Sequence, residues 1–408
     1  MFKGKILENF CLLALKVGVN LQKGQGLEIV CPVEKSDIAI ALTKTAYKLG
    51  AKKVNVRWEC DEVDKLSYQF ASTETLCDIP KWFIESKNYL VKENYCYVAI
   101  SAENPTAFKD IPAEKLAMVS KVKSTLLKSF SDAVMSNAIR WCVVSVPTKE
   151  WAKSVFKDSK NPVKELSHAI ELAMRLDNDN PLLEWNNHVN NLEKRASFLN
   201  EKRFDYLRFL SKSGTDLRVA LAKNHLWLSA REKSKDGNFF IANMPTEEVF
   251  TAPHKNGANG VVKSAMPLSF GGNIVDNFSI TFKDGKVVDF SAEKGYDVLK
   301  GIIETDSGTK RLGEVALIGK SSPIAKQNVL FYNTLFDENA SCHLAFGKAY
   351  PTTVINGENL SKKELALLGL NDSVEHVDFM IGTEDFCVYG GYDKGEEIPL
   401  MLNGDFVI

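Results

Sequence analysis

GLEIVCP (26–32), SDIAIALTKTAYKLG (36–50) and KVNVRW (53–58) decide the fold of the first half of this chain. The first stretch is a short apolar run closed by Pro32, the pattern of a buried strand. Ser36 is placed to cap a helix whose apolar face includes Ile38, Ala41, Leu42 and Leu49, with Gly50 as its stop. The third stretch is again a strand. Strand, helix and strand in that order make a βαβ unit, which predicts a parallel sheet covered by helices.

The same alternation extends outward. Upstream, Phe10, Leu13, Ala14 and Val17 carry the i, i+3, i+4, i+7 stripe of an amphipathic helix. Downstream, CYVAIS (96–101) and WCVVSVP (141–147) are further buried strands, and a helix is expected from about Pro162 to Met174. The texture changes near residue 195, in the polar stretch NNHVNNLEKR (186–195). FDYLRFL and DLRVALA flank the turn SKSGT, and NFSITF and KVVDFSA flank Asp284-Gly285, a tight-turn pair. Glycines cluster in GVVKSAMPLSFGGN (260–273), and GYDVLKGIIE (295–304) has helical spacing. The expectation is an α/β domain over 1–195 with a parallel-type sheet. A mixed, β-rich α+β domain over 196–408 follows it and carries the chemistry.

Bulk properties exclude several classes. At 408 residues the chain exceeds one ordinary core, which favours two or three domains. Lys plus Arg (51) nearly cancels Asp plus Glu (52), with no basic stripe, so neither nucleic acid nor an anionic membrane is an expected partner. MFKGKILENFCLLALKVGVN is interrupted by Glu8 and Asn9, and no run has the apolar length of a membrane span, which predicts a cytoplasmic protein. The eight cysteines form no CxxC pair and are expected to be buried free thiols in a reducing compartment.

Four short motifs concentrate ionisable side chains in apolar or Gly/Pro-framed surroundings. MPTEEVFTAP (244–253) presents Glu247 and Glu248, and RLGEVALIG (311–319) presents Glu314 at the start of a strand. FDENASCHLAFGKAY (336–350) holds Glu338, His343 and Tyr350, and VEHVDFMIG (374–382) holds His376 and Asp378. In a strand His376 and Asp378 share a face, and a charge in such an apolar run is costly unless paired or metal-bound. A helix from Asn339 would set His343 and Phe346 on nearby turns, Tyr350 about two turns beyond His343, and Glu338 at or before the N-cap.

Each motif alone has a structural explanation: a core His–Asp pair, Glu314 paired with Lys310 or Arg311, Glu338 as a helix cap, Tyr350 as a half-buried aromatic. The set carries the functional reading, with four carboxylates and two histidines within one half of the chain. Oxygen and imidazole donors suit zinc, cobalt or manganese. One dication facing four carboxylates would leave like charges that drive protonation, whereas two dications balance them. Two such ions can share a water and polarise a carbonyl together, with a bridging carboxylate, Glu248 or Glu314, holding the pair. Tyr350 would ligate a metal or donate to the tetrahedral oxyanion. His168, His188, His225 and His254 lack such framing and are expected to be structural or superficial.

EEVFTAPH, TDSGTKRLGEVAL, NTLFDENASCHLAFGKAY and HVDFMIG, together with GVNLQKGQGLEIVCPVE and AYKLGAKKVNVRW, resemble the thermophilic metalloaminopeptidase family of aminopeptidase T and aminopeptidase S type. The resemblance covers essentially the whole chain. It implies a two-domain protein, as a rule a homodimer, that removes single residues from the free N-terminus of peptides. It also implies metal ligands at Glu248, Glu314, Glu338, His343, His376 and Asp378, with Tyr350 at the site. Two other readings compete. A mononuclear non-haem iron oxygenase would use His343, His376 and one carboxylate, leaving the remaining glutamates surplus. A non-catalytic metal- or peptide-binding protein would lack an open coordination position.

Overall fold

The computed structural model describes residues 2–102, 107–108, 110–270 and 273–408. It divides into two compact units: Met1–Asn187 with Arg231–Pro245, and His188–Ala230 with Thr246–Ile408.

In the first unit the expected βαβ pattern is realised. Strands Gly26–Pro32, Lys53–Glu59, Cys96–Ser101 and Trp141–Ser145 form one parallel sheet. Its order is Lys53–Glu59, Gly26–Pro32, Cys96–Ser101, Trp141–Ser145. The Gly26–Pro32 strand is buried along nearly its whole length, as a strand between helical layers must be. Helix Ser36–Lys48 buries Ile38, Ala39, Leu42 and Ala46. Ser36 does not cap it: a 3-10 turn at Val33–Lys35 leads directly into the helix, and Ser36 is its first residue. The N-terminal helix Gly4–Leu12 widens into a π-helical stretch at Leu13–Gly18. The extra residue per turn brings Leu15 inside with Leu13 and Ala14 and leaves Val17 only half-buried, a shift that a regular 3.6-residue period does not anticipate. A short hairpin of Arg231–Lys233 and Phe239–Ile241 from the middle of the chain belongs to this unit.

The second unit holds two antiparallel sheets. The larger contains the hairpin Tyr206–Leu210/Asp216–Leu221 and the long pair Asn273–Lys283/Lys286–Lys294, both at the expected turns. Gly271 and Gly272 of the glycine cluster lie outside the described residues. The smaller sheet has four strands in the order His376–Met380, His343–Gly347, Leu312–Leu317, Val249–Thr251. Its core face carries Val315, Leu344, Phe346 and Phe379, each fully buried, with the Phe346 and Phe379 rings stacked at 4.5 Å. The eight cysteines are free thiols, five of them buried. Among the described residues no helix is long and apolar enough to cross a membrane.

Candidate metal centre

The small sheet builds the cluster by register. Glu314 lies across from Ala345, and Ala345 across from Asp378. His343 is two residues from Ala345, and His376 two residues from Asp378, so all four polar side chains emerge on one face while the phenylalanines line the other. Glu248 immediately precedes the edge strand Val249–Thr251, which pairs with Val315–Leu317. The Glu314 strand carries a bulge between Leu312 and Glu314. Gly313 and Gly347 make this crossing possible. A Cβ on Gly313 would come within 2.5 Å of the Gly347 and Lys348 carbonyls. Gly347 has φ +94°, and a Cβ there would meet the Glu375 carbonyl at 2.2 Å.

This sheet corrects the helix expected from Asn339. A short helix at Thr334–Asp337 passes into a 3-10 turn at Glu338–Ala340, and His343–Gly347 is then a central strand. Tyr350 therefore follows a strand rather than lying two helical turns beyond His343. Its ring sits 4.9 Å from that of His376.

Two groups of donor atoms result, and Glu314 belongs to both. Glu248, Glu314 and His343 form one, and Glu314, His376 and Asp378 the other. Glu314 Oε1 is 3.5 Å from His343 Nε2, while Glu314 Oε2 is 3.6 Å from His376 Nε2. His343 Nε2 also lies 3.4 Å from Glu248 Oε2, and His376 Nε2 lies 3.2 Å from Asp378 Oδ1. Each imidazole is oriented from behind. His343 Nδ1 faces the Ser341 carbonyl at 3.3 Å, and His376 Nδ1 faces the Lys348 carbonyl at 2.7 Å. With Nδ1–H donating to a carbonyl, Nε2 is the nitrogen turned toward the carboxylates, and once it gives up its proton its lone pair is free for a cation, the arrangement found behind metal-ligating histidines. Glu338, half-buried, borders the cluster close enough for Glu248 and Asp378 to act on its charge.

These residues fit a divalent cation. Glu248 Oε2 and Asp378 Oδ1 are shielded from solvent and accept no well-formed hydrogen bond, a costly state for carboxylate oxygens that a bound cation would relieve. The electrostatics agree. Burial, together with Glu314 and Asp378, outweighs the two histidines and pushes the Glu248 carboxyl up to about 8. Burial and the neighbouring Glu248, Asp378 and Glu314 push Glu338 well above the ordinary carboxylate range. Burial pulls the other way on the imidazoles, but surrounding carboxylates win and hold His343 at about 10 and His376 at about 9. Asp378, which burial alone would raise, is held low by His376 and His343. Burial and then the four neighbouring carboxylates raise the Tyr350 phenol, which stays protonated at neutral pH.

A pH dependence follows from these directions. At pH 7 the ion-free cluster stores protons on Glu248, His343 and His376, and a cation must displace them. Metal affinity is therefore expected to fall as pH drops from 9 to 6, with proton release on loading in weakly buffered solution. Chelator competition across that range checks it; an affinity independent of pH would contradict the cluster as metal site.

The remaining polar residues divide as follows. Glu247 is buried, with Oε2 3.7 Å from His188 Nε2, and His188 Nε2 lies 2.7 Å from the Thr246 carbonyl. Glu375 contributes its carbonyl, which accepts from the Lys348 N–H. His225 is buried against the Ala222 carbonyl, and His168 is exposed. Cys342, beside His343, is a buried thiol packed against Ile318 and Met401. The Ser341 and Lys348 carbonyls had no sequence signal, because any residue supplies a carbonyl. The signal at Asn339 is an amide side chain between Glu338 and the strand that carries His343.

The family described as thermophilic metalloprotease (M29) matches residues 3–406. This chain belongs to that family. It is 41% identical over 402 residues to aminopeptidase AmpS of Bacillus subtilis (strain 168), covering 98% of each chain. The structure of wild-type AmpT from Thermus thermophilus superposes with a TM-score of 0.92 at 36% identity, covering 99% of both chains. A 2,5-dihydroxypridine dioxygenase from Pseudomonas putida KT2440 shares the fold at a TM-score of 0.51 and 11% identity, covering 99% of this chain and 96% of that one. That likeness is one of fold alone. Family membership over the full length therefore favours the metalloprotease over the oxygenase reading.

Proposed function

We propose that this metal-dependent aminopeptidase releases residues one at a time from peptides with a free N-terminus, using two divalent ions that share Glu314. The observation that carries the reading is the placement of Glu314, whose two oxygens face two different histidines. Glu248 and His343 would complete one position and His376 and Asp378 the other, and Glu338 beside them would serve as a sixth ligand. Two dications balance the four carboxylates, and the donor set admits zinc, cobalt or manganese. When bound, such ions polarise a peptide carbonyl and lower the pKa of water to near neutrality.

The chain's own residues do the rest. The sheet face fixes Glu314, His343, His376 and Asp378, and the Ser341 and Lys348 carbonyls hold each imidazole in its metal-binding tautomer. Tyr350 keeps its proton and donates it as a hydrogen bond to the oxyanion of the tetrahedral species. We assign catalysis to residues 196–408, and place the protein in the cytoplasm as a homodimer, the state the family resemblance implies.

The reaction type is tested with metal-reconstituted protein on a peptide and its N-acetylated twin. Stepwise release from the free peptide and none from the acetylated one is expected. Cleavage of the acetylated peptide at internal bonds would overturn the proposal.

A further inference from the structure

We propose that Asn339 is a positioning residue that holds Glu248 and Glu338 in register for the ion at the Glu248–Glu314–His343 position. This rests on the two-ion reading above.

Asn339 is completely buried. Its primary amide both accepts and donates, and each function is used. Oδ1 accepts the Glu247 N–H at 2.8 Å, from a segment 92 residues away in sequence. Nδ2 donates to the Leu335 carbonyl at 3.1 Å and reaches Glu338 Oε1 at 3.4 Å. One side chain thus fastens the backbone directly ahead of Glu248 and the carboxylate of Glu338 to the end of the short helix Thr334–Asp337.

The need for such a fastener is electrostatic. In the ionised form that binds a cation, Glu248 and Glu338 are neighbouring carboxylates in a mostly buried setting, and left to themselves they would move apart. The element holding them has to be uncharged and has to offer both donor and acceptor. Asp at this position would add another carboxylate beside Glu338. Leu would remove both the acceptor for the Glu247 N–H and the donor to the Leu335 carbonyl.

The test is cobalt(II) titration of metal-free wild type, Asn339→Ala and Asn339→Asp, followed by the d–d absorption of bound cobalt, with melting of the metal-free proteins alongside. Wild type is expected to bind two ions. In Asn339→Ala one affinity should weaken about 10–100-fold, the usual consequence of losing an outer-shell partner, while the other changes little. Asn339→Asp keeps the acceptor for Glu247 N–H and loses the donor to Glu338, so it should separate the two affinities in the same direction. It also decides the matter if Asn339→Ala does not fold. A role confined to packing would lower the melting temperature and leave the ratio of the two affinities as in wild type; that result in a folded variant overturns the inference. If wild type binds only one cobalt ion, the shared-ligand reading is what fails. The assignment of Asn339 then stands if that single affinity falls in the variants and is overturned if it does not.

Discussion

Glu314→Gln is expected to strip at least one divalent ion from the protein and bring turnover close to background. The amide keeps the size of the carboxylate but removes its charge and one of the two oxygens that face His343 and His376. It therefore cannot serve both positions, and the loss of affinity should exceed the roughly 10–100-fold typical of changes behind a ligand. Elemental analysis with kinetics on the same preparations reads the result. Two ions and wild-type turnover in Glu314→Gln would remove Glu314 from the centre. Full wild-type activity at one ion per chain would rule out the shared-ion mechanism altogether.

Tyr350→Phe should lower kcat on the order of 10²–10³-fold, the range for removing one oxyanion donor. KM and metal content should change little. The substitution keeps the ring that packs at 4.9 Å against His376, so the sheet and its ligands stay in place. If metal content falls with activity, the phenol is a ligand rather than a donor. Unchanged activity would return Tyr350 to a packing role.

The parts of this protein that sequence revealed were those governed by local periodicity. The βαβ unit at Gly26–Glu59 is legible because a buried parallel strand is apolar throughout and the helix between repeats its apolar face at 3.6 residues. The shared orientation of His376 and Asp378 follows from strand alternation. What sequence hid was decided by partners distant along the chain. The Ala- and Leu-containing run from Asn339 to Phe346 has helical composition, yet the strand His343–Gly347 pairs on both sides, with Leu312–Leu317 and with His376–Met380. Two ladders of backbone hydrogen bonds override a weak local preference. The same override moved Tyr350 from a helix face to the loop beside His376. That Glu314 rather than Glu248 stands between the two histidines has no local signal, because strand register across the sheet decides it.

The bulged strand and its neighbours would also make the proposed pair of ions a clasp on chain topology. Its ligands come from four separate stretches of backbone, and the segment from Glu248 to Asp378 closes on itself wherever the ions are held. Closing so long a loop by chance is entropically unfavourable for a disordered chain, and an ion that holds it closed removes those open states from consideration. A cation at a hundredfold excess over its Kd adds about 2.7 kcal/mol to the folded form by mass action alone. On that reading, metal-free protein is expected to lose resistance to proteolysis and heat in this half of the molecule together with its activity, so that starvation for the ion would silence the enzyme and hasten its removal at once.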